Sequence, residues 1–121
     1  MYLKNFLILF LIIIFSSCTK GNIKKSVINE KSLNTQVLEA YKEGMESLKQ
    51  GDVMFAAKKF NEVEILFPQS DLAPKSLLMA AYSYYVQDYY EDCIEELERF
   101  LQVYPKHHNK DYAYYLLAIS Y

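Results

Sequence analysis

With 13 basic and 15 acidic residues in 121, the chain carries a formal charge of −2, which argues against a nucleic-acid partner, since that requires a basic surface. It has no HExxH or Cys-His metal spacing and no Gly-rich phosphate loop, so the usual signatures of catalysis are missing and no enzyme is expected. Once the N-terminal segments are set aside, about 85 residues remain, enough for one small domain.

In chain order, Lys4 precedes the run Phe6–Phe15, a charged start and ten apolar residues in the layout of a secretory signal. Ten residues are too few to cross a bilayer, which takes about 20 in a helix. Ser16-Ser17-Cys18 follows directly and resembles the lipobox of bacterial lipoproteins, where small residues precede a cysteine that is acylated and becomes the new N-terminus. Phe15 stands where that family most often has Leu. The resemblance implies that residues 1–17 are a signal peptide and that Cys18 bears a covalent lipid which anchors the chain to a membrane. No further cofactor is expected. By resemblance to proteobacterial lipoproteins, Thr19 in place of Asp directly after the cysteine is compatible with sorting to the outer membrane. Loss of residues 1–17 removes Lys4 alone, leaving 12 basic against 15 acidic residues, a charge near −3.

Residues 18–35 hold Lys, Asn, Ser and Gly with scattered apolar residues and no sustained period, so they are expected to form a tether. The seventeen residues from Thr19 to Thr35, if flexible, span about 23 Å, enough to hold a domain clear of lipid headgroups.

From Val37 onward the sequence repeats with a step of 37 residues. With Val37, Pro74 and Asp111 as first positions, small residues recur at the eighth (Gly44, Ala81, Ala118) and twentieth (Ala56, Cys93). Phe60 and Leu97 share position 24, Val63 and Phe100 position 27, and Pro68 and Pro105 position 32. Small residues let two helices cross closely, bulky ones fill the seam, and Pro stops the second helix. This resembles the tetratricopeptide repeat, a helix-turn-helix unit of about 34 residues. The fold expected for residues 36–121 is all-α: about two and a half such repeats in a short right-handed solenoid. Cys93, at a crossing and without a disulfide partner if Cys18 is lipidated, is expected to act as a compact hydrophobe.

Periodicity and punctuation predict helices over Gln36–Lys49, Val53–Phe67, Leu72–Gln87 and Tyr89–Tyr104, and a fifth from Asn109 to Tyr121. Gly51 should cap the first helix and Asp52 start the second; Asp88 with Glu91 resembles a capping box; Glu95 and Arg99 are spaced for a surface pair. The acidic set Glu91, Asp92, Glu95, Glu96 and Glu98 is expected on a solvated face, and His107 and His108 in a solvated loop. The fifth helix is the first half of a unit. The chain is therefore expected to be a fragment, or to have its end covered by another chain.

Residues Arg99–Tyr121, together with Leu78–Tyr85 and Phe60–Pro68, are similar to the BamD family, the lipoprotein component D of the machine that folds and inserts β-barrel proteins into the bacterial outer membrane. The lipobox before the first repeat fits as well. His108 departs from that family's usual Pro, and Leu117-Ala118 from a common Arg-Gly. The resemblance implies an outer-membrane location facing the periplasm. It also implies a scaffold role, with a BamA-like barrel subunit, other assembly-machine lipoproteins and unfolded outer-membrane proteins as partners. Another repeat-bearing envelope lipoprotein, coordinating cell-wall or outer-membrane processes, is the alternative.

In paired-helix stacks the first helix of each unit lines the concave side through positions two, five, nine and twelve. Here these include Tyr41, Met45 and Leu48; Leu78, Tyr82 and Tyr85; Tyr112, Tyr115 and Ile119. The expected groove is apolar and rich in Tyr, which offers a large rigid contact area and a hydroxyl. The segment Leu77–Val86 is apolar nearly all round, so one face is expected to meet something besides its own partner helix. Tyr84, Tyr90, Tyr114 and Tyr121 sit where residues pack between helices and are expected to be structural.

Overall fold

A computed structural model describes residues 32–121. The signal segment, Cys18 and the tether up to residue 31 lie outside the described residues. Five helices follow one another: α1 (Leu33–Gln50), α2 (Val53–Leu66), α3 (Leu72–Tyr85), α4 (Tyr90–Val103) and α5 (Lys110–Ser120), with no strand among the described residues. Each helix packs on the next. In addition α1 touches α3 and α3 touches α5, whereas α2 and α4 bring no Cα atoms within 8 Å of each other. The first helix of each pair thus stands beside the next first helix as one wall, and the second helices splay apart behind them. This is the all-α stack of tetratricopeptide-like pairs that the period predicts.

The helix ends follow local chemistry. α1 starts at Leu33, upstream of the expected Gln36, because Ser32 Oγ accepts a hydrogen bond from the Thr35 amide at 3.3 Å and caps it. The stretch expected to be tether therefore gives up its last three residues, 33–35, to α1. At the far end Gly51 takes a left-handed φ of 82°, and the amides of Gly51 and Asp52 donate to the Leu48 and Ser47 carbonyls. Asp52 then caps α2 by accepting from the Phe55 amide at 3.2 Å. The corresponding turn differs from expectation. Asp88 does not begin α4; at φ 60° it occupies the place of Gly51, 37 residues later, and Tyr89 precedes α4 without a side-chain cap. The Asp88 carboxylate accepts instead from the Tyr90 hydroxyl at 2.6 Å.

The small residues lie at the crossings. A Cβ added to Gly44 would stand 2.8–3.1 Å from three ring atoms of Phe60, itself wholly buried, so only hydrogen fits there. Ala81, Cys93 and Leu97 share a second core cluster with Leu77, Phe100, Ala113 and Leu116. Cys93 is free and buried, its thiol 3.4 Å from Ser120 Oγ; burial pushes it above the ordinary thiol value, with the Ser120 contact acting the other way. Ala118, the third small residue of the series, is exposed, since α5 contacts only α3 and α4 among the described helices.

α3 is apolar nearly all round because it is the middle of the stack. Ala73, Leu77, Leu78, Ala80 and Ala81 face neighbours on both sides, and Pro74 is accommodated in the first turn, where its missing amide is not needed. The face of this helix expected to meet something besides its own partner helix meets the preceding pair, leaving Tyr82 and Val86 exposed. Arg99 also departs from its expected partner Glu95. Its guanidinium donates to Glu96 and Glu64, each at 2.8 Å, and to Asn61 Oδ1 at 3.1 Å, while Asn61 donates to Glu96 at 2.7 Å. Glu96 is accordingly half-buried in a bridge between α2 and α4, whereas Glu91, Asp92, Glu95 and Glu98 are exposed.

Candidate functional site

The wall formed by α1, α3 and α5 holds a shallow hollow of about 290 Å³. Tyr41 from α1, Leu78 and Tyr82 from α3, and Tyr112 from α5 line it, each on a different turn of three adjacent helices. Lys75, Met79 and Asn109 complete the rim. The tyrosines are placed by packing beneath them. Tyr41 meets the buried Phe60 edge-on at 5.5 Å, and Leu78 is anchored in the second core cluster. Tyr82 is 37% exposed and Tyr112 44%, so both present ring area to whatever enters. Partial burial, with Tyr82 close by, holds the Tyr112 phenol above the ordinary tyrosine value.

The other expected groove residues are distributed differently. Met45 and Leu48 pack against Ala56, Ala57, Phe60 and Ala80. Tyr85 packs against the second core cluster and stands edge-on to Tyr90 at 5.9 Å. Tyr115 and Ile119 are exposed on α5, beyond the hollow. Of the tyrosines expected to be structural, only Tyr84 is half-buried, against both clusters. Tyr90 (41%), Tyr114 (57%) and Tyr121 (82%) are exposed, although Tyr90 stands edge-on to Tyr85 and the Tyr121 hydroxyl donates to Glu98 at 3.2 Å.

Lys75 was within reach of the sequence register. It stands 37 residues before Tyr112, at position two of its unit, where its charge sets it apart from the apolar residues at the other groove positions. Its ammonium places one positive charge at the edge of an aromatic surface. Lys75 also borders a second hollow, of about 540 Å³, between the loops that join the units, with Asp71, Tyr104, His107 and His108 on its walls. The expectation of two solvated histidines needs correction for His107, which is half-buried with its ring edge-on to Phe100 at 5.6 Å. Burial, with His108 and Lys75 nearby, lowers its affinity for a proton below that of an ordinary histidine.

The inner hollow offers aromatic faces, hydroxyls and one cation, a set suited to holding a polypeptide segment. Among the described residues no group of three or more His, Cys, Asp or Glu could hold a metal ion, and no helix is long and apolar enough to cross a membrane.

A family model described as outer membrane lipoprotein, YfiO, matches residues 34–121. The chain is 33% identical over 101 residues, 84% of its length, to the outer membrane protein assembly factor BamD of Caulobacter vibrioides, and covers 32% of that protein. It is 32% identical over 105 residues to the protein of the same name from Neisseria meningitidis serogroup A, covering 86% of this chain and 39% of that one. The Rickettsia prowazekii counterpart is 30% identical over 97 residues, covering 80% and 39% of the two chains. The chain thus spans about a third to two fifths of the length of these relatives.

Proposed function

The chain belongs to the YfiO family of outer membrane lipoproteins, and from that premise we propose that it is a non-catalytic docking component in the assembly of outer-membrane β-barrel proteins. Cys18 carries the lipid that anchors it on the periplasmic face of the outer membrane. The repeat domain receives an extended, aromatic-bearing segment of an unfolded barrel protein and passes it toward a barrel-forming subunit of the BamA kind, alongside other lipoproteins of the machine. The names of the relatives support the assembly role. The observation that carries the docking role is the convergence of Tyr41, Leu78, Tyr82 and Tyr112 from three helices on one hollow. Rigid aromatic side chains tolerate varied sequences, which suits a receptor for many barrel proteins.

Titration of the full-length protein with a fluorescent peptide of alternating apolar residues ending in Phe tests this. Tyr82→Ala with Tyr112→Ala should weaken binding by roughly tenfold or more, as loss of central aromatic contacts does. Both side chains are exposed, so the circular dichroism of the helices should stay the same. Unchanged affinity would remove the hollow from the docking site.

A further inference from the structure

The two loops that join the units cap the following helix with the same repeat position but with different chemistry. In the first loop Ser70 donates its amide to the Phe67 carbonyl at 3.0 Å, and its Oγ accepts from the Ala73 amide at 3.1 Å as α3 begins. His107 stands 37 residues later. Its amide donates to the Tyr104 carbonyl at 3.0 Å, its carbonyl accepts from the Lys110 amide at 3.1 Å, and its Nδ1 accepts from the Asn109 amide at 3.2 Å as α5 begins. Asn109 supplies no side-chain cap to α5, so the imidazole is the side chain that satisfies a free amide at that end.

A hydroxyl oxygen accepts at any physiological pH, whereas Nδ1 accepts only while it is bare. We propose that His107 is a proton-sensitive latch on the start of α5: protonation at Nδ1 turns the acceptor into a donor, breaks the bond from Asn109 and loosens the first turn of the helix. The surroundings set the direction. Lys75 from α3 and the stacked His108, its ring 4.1 Å away, are cations or potential cations, whereas Asp71 at the start of α3 is the one carboxylate lining the bay and Tyr104 at the end of α4 is neutral. Edge-on contact with Phe100 withdraws the ring from water, and the same burial favours its neutral form. Since Asn109 and Tyr112 belong to the inner hollow, loosening this turn would alter that hollow. That consequence rests on the proposed docking role; the latch itself does not.

Amide hydrogen exchange on the full-length protein reads the latch directly. Between pH 7.5 and 5.5, after correction for intrinsic exchange, protection in the first turn of α5 should fall by roughly three- to tenfold, the weight of one hydrogen bond. The first turn of α3, capped by Ser70, should hold its protection and serves as the reference. His107→Phe keeps a ring against Phe100 and should abolish the pH dependence, while His108→Gln should retain it. Should His107→Phe fail to fold, the imidazole titration of the unsubstituted protein by NMR replaces it, with the Asn109 amide shift expected to follow protonation of His107 Nδ1. Protection at α5 that is unchanged with pH, pH dependence lost in His108→Gln, or an Asn109 amide that ignores the His107 titration would each overturn the proposal.

Discussion

The first and second helix pairs reach the same architecture with different side-chain volumes, turn residues and charges. At the crossing, the first pair sets Gly44 against the large Phe60, and the second has Ala81 and the smaller Leu97 at the equivalent positions. At the turn, the first uses Gly51 for the left-handed residue and Asp52 for the cap, while the second places Asp88 at φ 60° and leaves Tyr89 without a capping bond. At positions 23 and 26 the ion pair is reversed in sign: Lys59 with Glu62 at 2.9 Å in the first, Glu96 with Arg99 at 2.8 Å in the second. Lys59 reaches back to Glu43 on its own pair, whereas Arg99 reaches across to Glu64 on the other. The repeat thus conserves the sum of volumes and charges at a contact, and leaves open which partner contributes which.

The largest test of that idea is at the crossing. Gly44→Ala should destabilise the domain by about 1–3 kcal/mol, because the buried Phe60 ring has no room to retreat from the new methyl group. Gly44→Ala combined with Phe60→Leu copies the second pair into the first, and should recover most of the loss in a chemical-denaturation double-mutant cycle. Additive losses in the double variant would show that the two crossings are not interchangeable.

A smaller effect separates the ion pairs. Arg99→Ala leaves Glu64 and Glu96, 15% and 13% exposed, without their cation, and should cost about 1–2 kcal/mol. Lys59→Ala frees Glu43 and Glu62, 55% and 41% exposed, and should cost under about 1 kcal/mol, falling further as salt is added. Equal losses measured by urea unfolding would mean that bridging between pairs adds nothing over bridging within one.

The smallest expected change is a gain. Asp88→Gly with Tyr89→Asp transplants the first turn into the second, relieving the left-handed Asp and giving α4 the cap that Asp52 gives α2. Loss of the Tyr90 contact to Asp88 offsets part of the benefit, so a net gain of about 0.5–1 kcal/mol is expected, read as a higher melting temperature. A lower melting temperature would indicate that the Tyr90 to Asp88 bond outweighs the backbone cost.

The pH response sharpens the contrast between the two loops. His107 binds a proton less readily in the folded chain than its ordinary value of 6.5, so the unfolded chain takes up more protons as pH falls. Its contribution to stability is complete above pH 6.5 and declines below it.

The five helices were legible because periodicity, Gly51, Asp52 and the prolines act within a few residues along the chain. Asp88 shows where such local signals mislead. As a residue type Asp fits both a cap and a left-handed turn, and the spacing to Glu91 favoured the wrong choice, although the 37-residue register with Gly51 held the right one. The hollow was legible in part: Tyr41, Leu78, Tyr82 and Tyr112 followed from their register, but nothing along the chain distinguished them from Met45, Leu48 and Tyr85, which are half-buried against the core clusters away from the hollow.

Residue order alone fixed the repeat length, the helix ends set by short-range hydrogen bonds, and the burial of Cys93 at a crossing, since each depends on neighbours three, four or 37 positions away. Three other features came from the packed molecule. These are the choice of Glu64 over Glu95 by Arg99, the seating of His107 on Phe100, and the exposure of Tyr114 and Tyr121. Each turns on what reaches that side chain in the packed molecule, whether from the other pair as Glu64 does, from the same unit as Phe100 does, or hardly at all, and a periodic pattern says which face a residue is on without saying what covers that face.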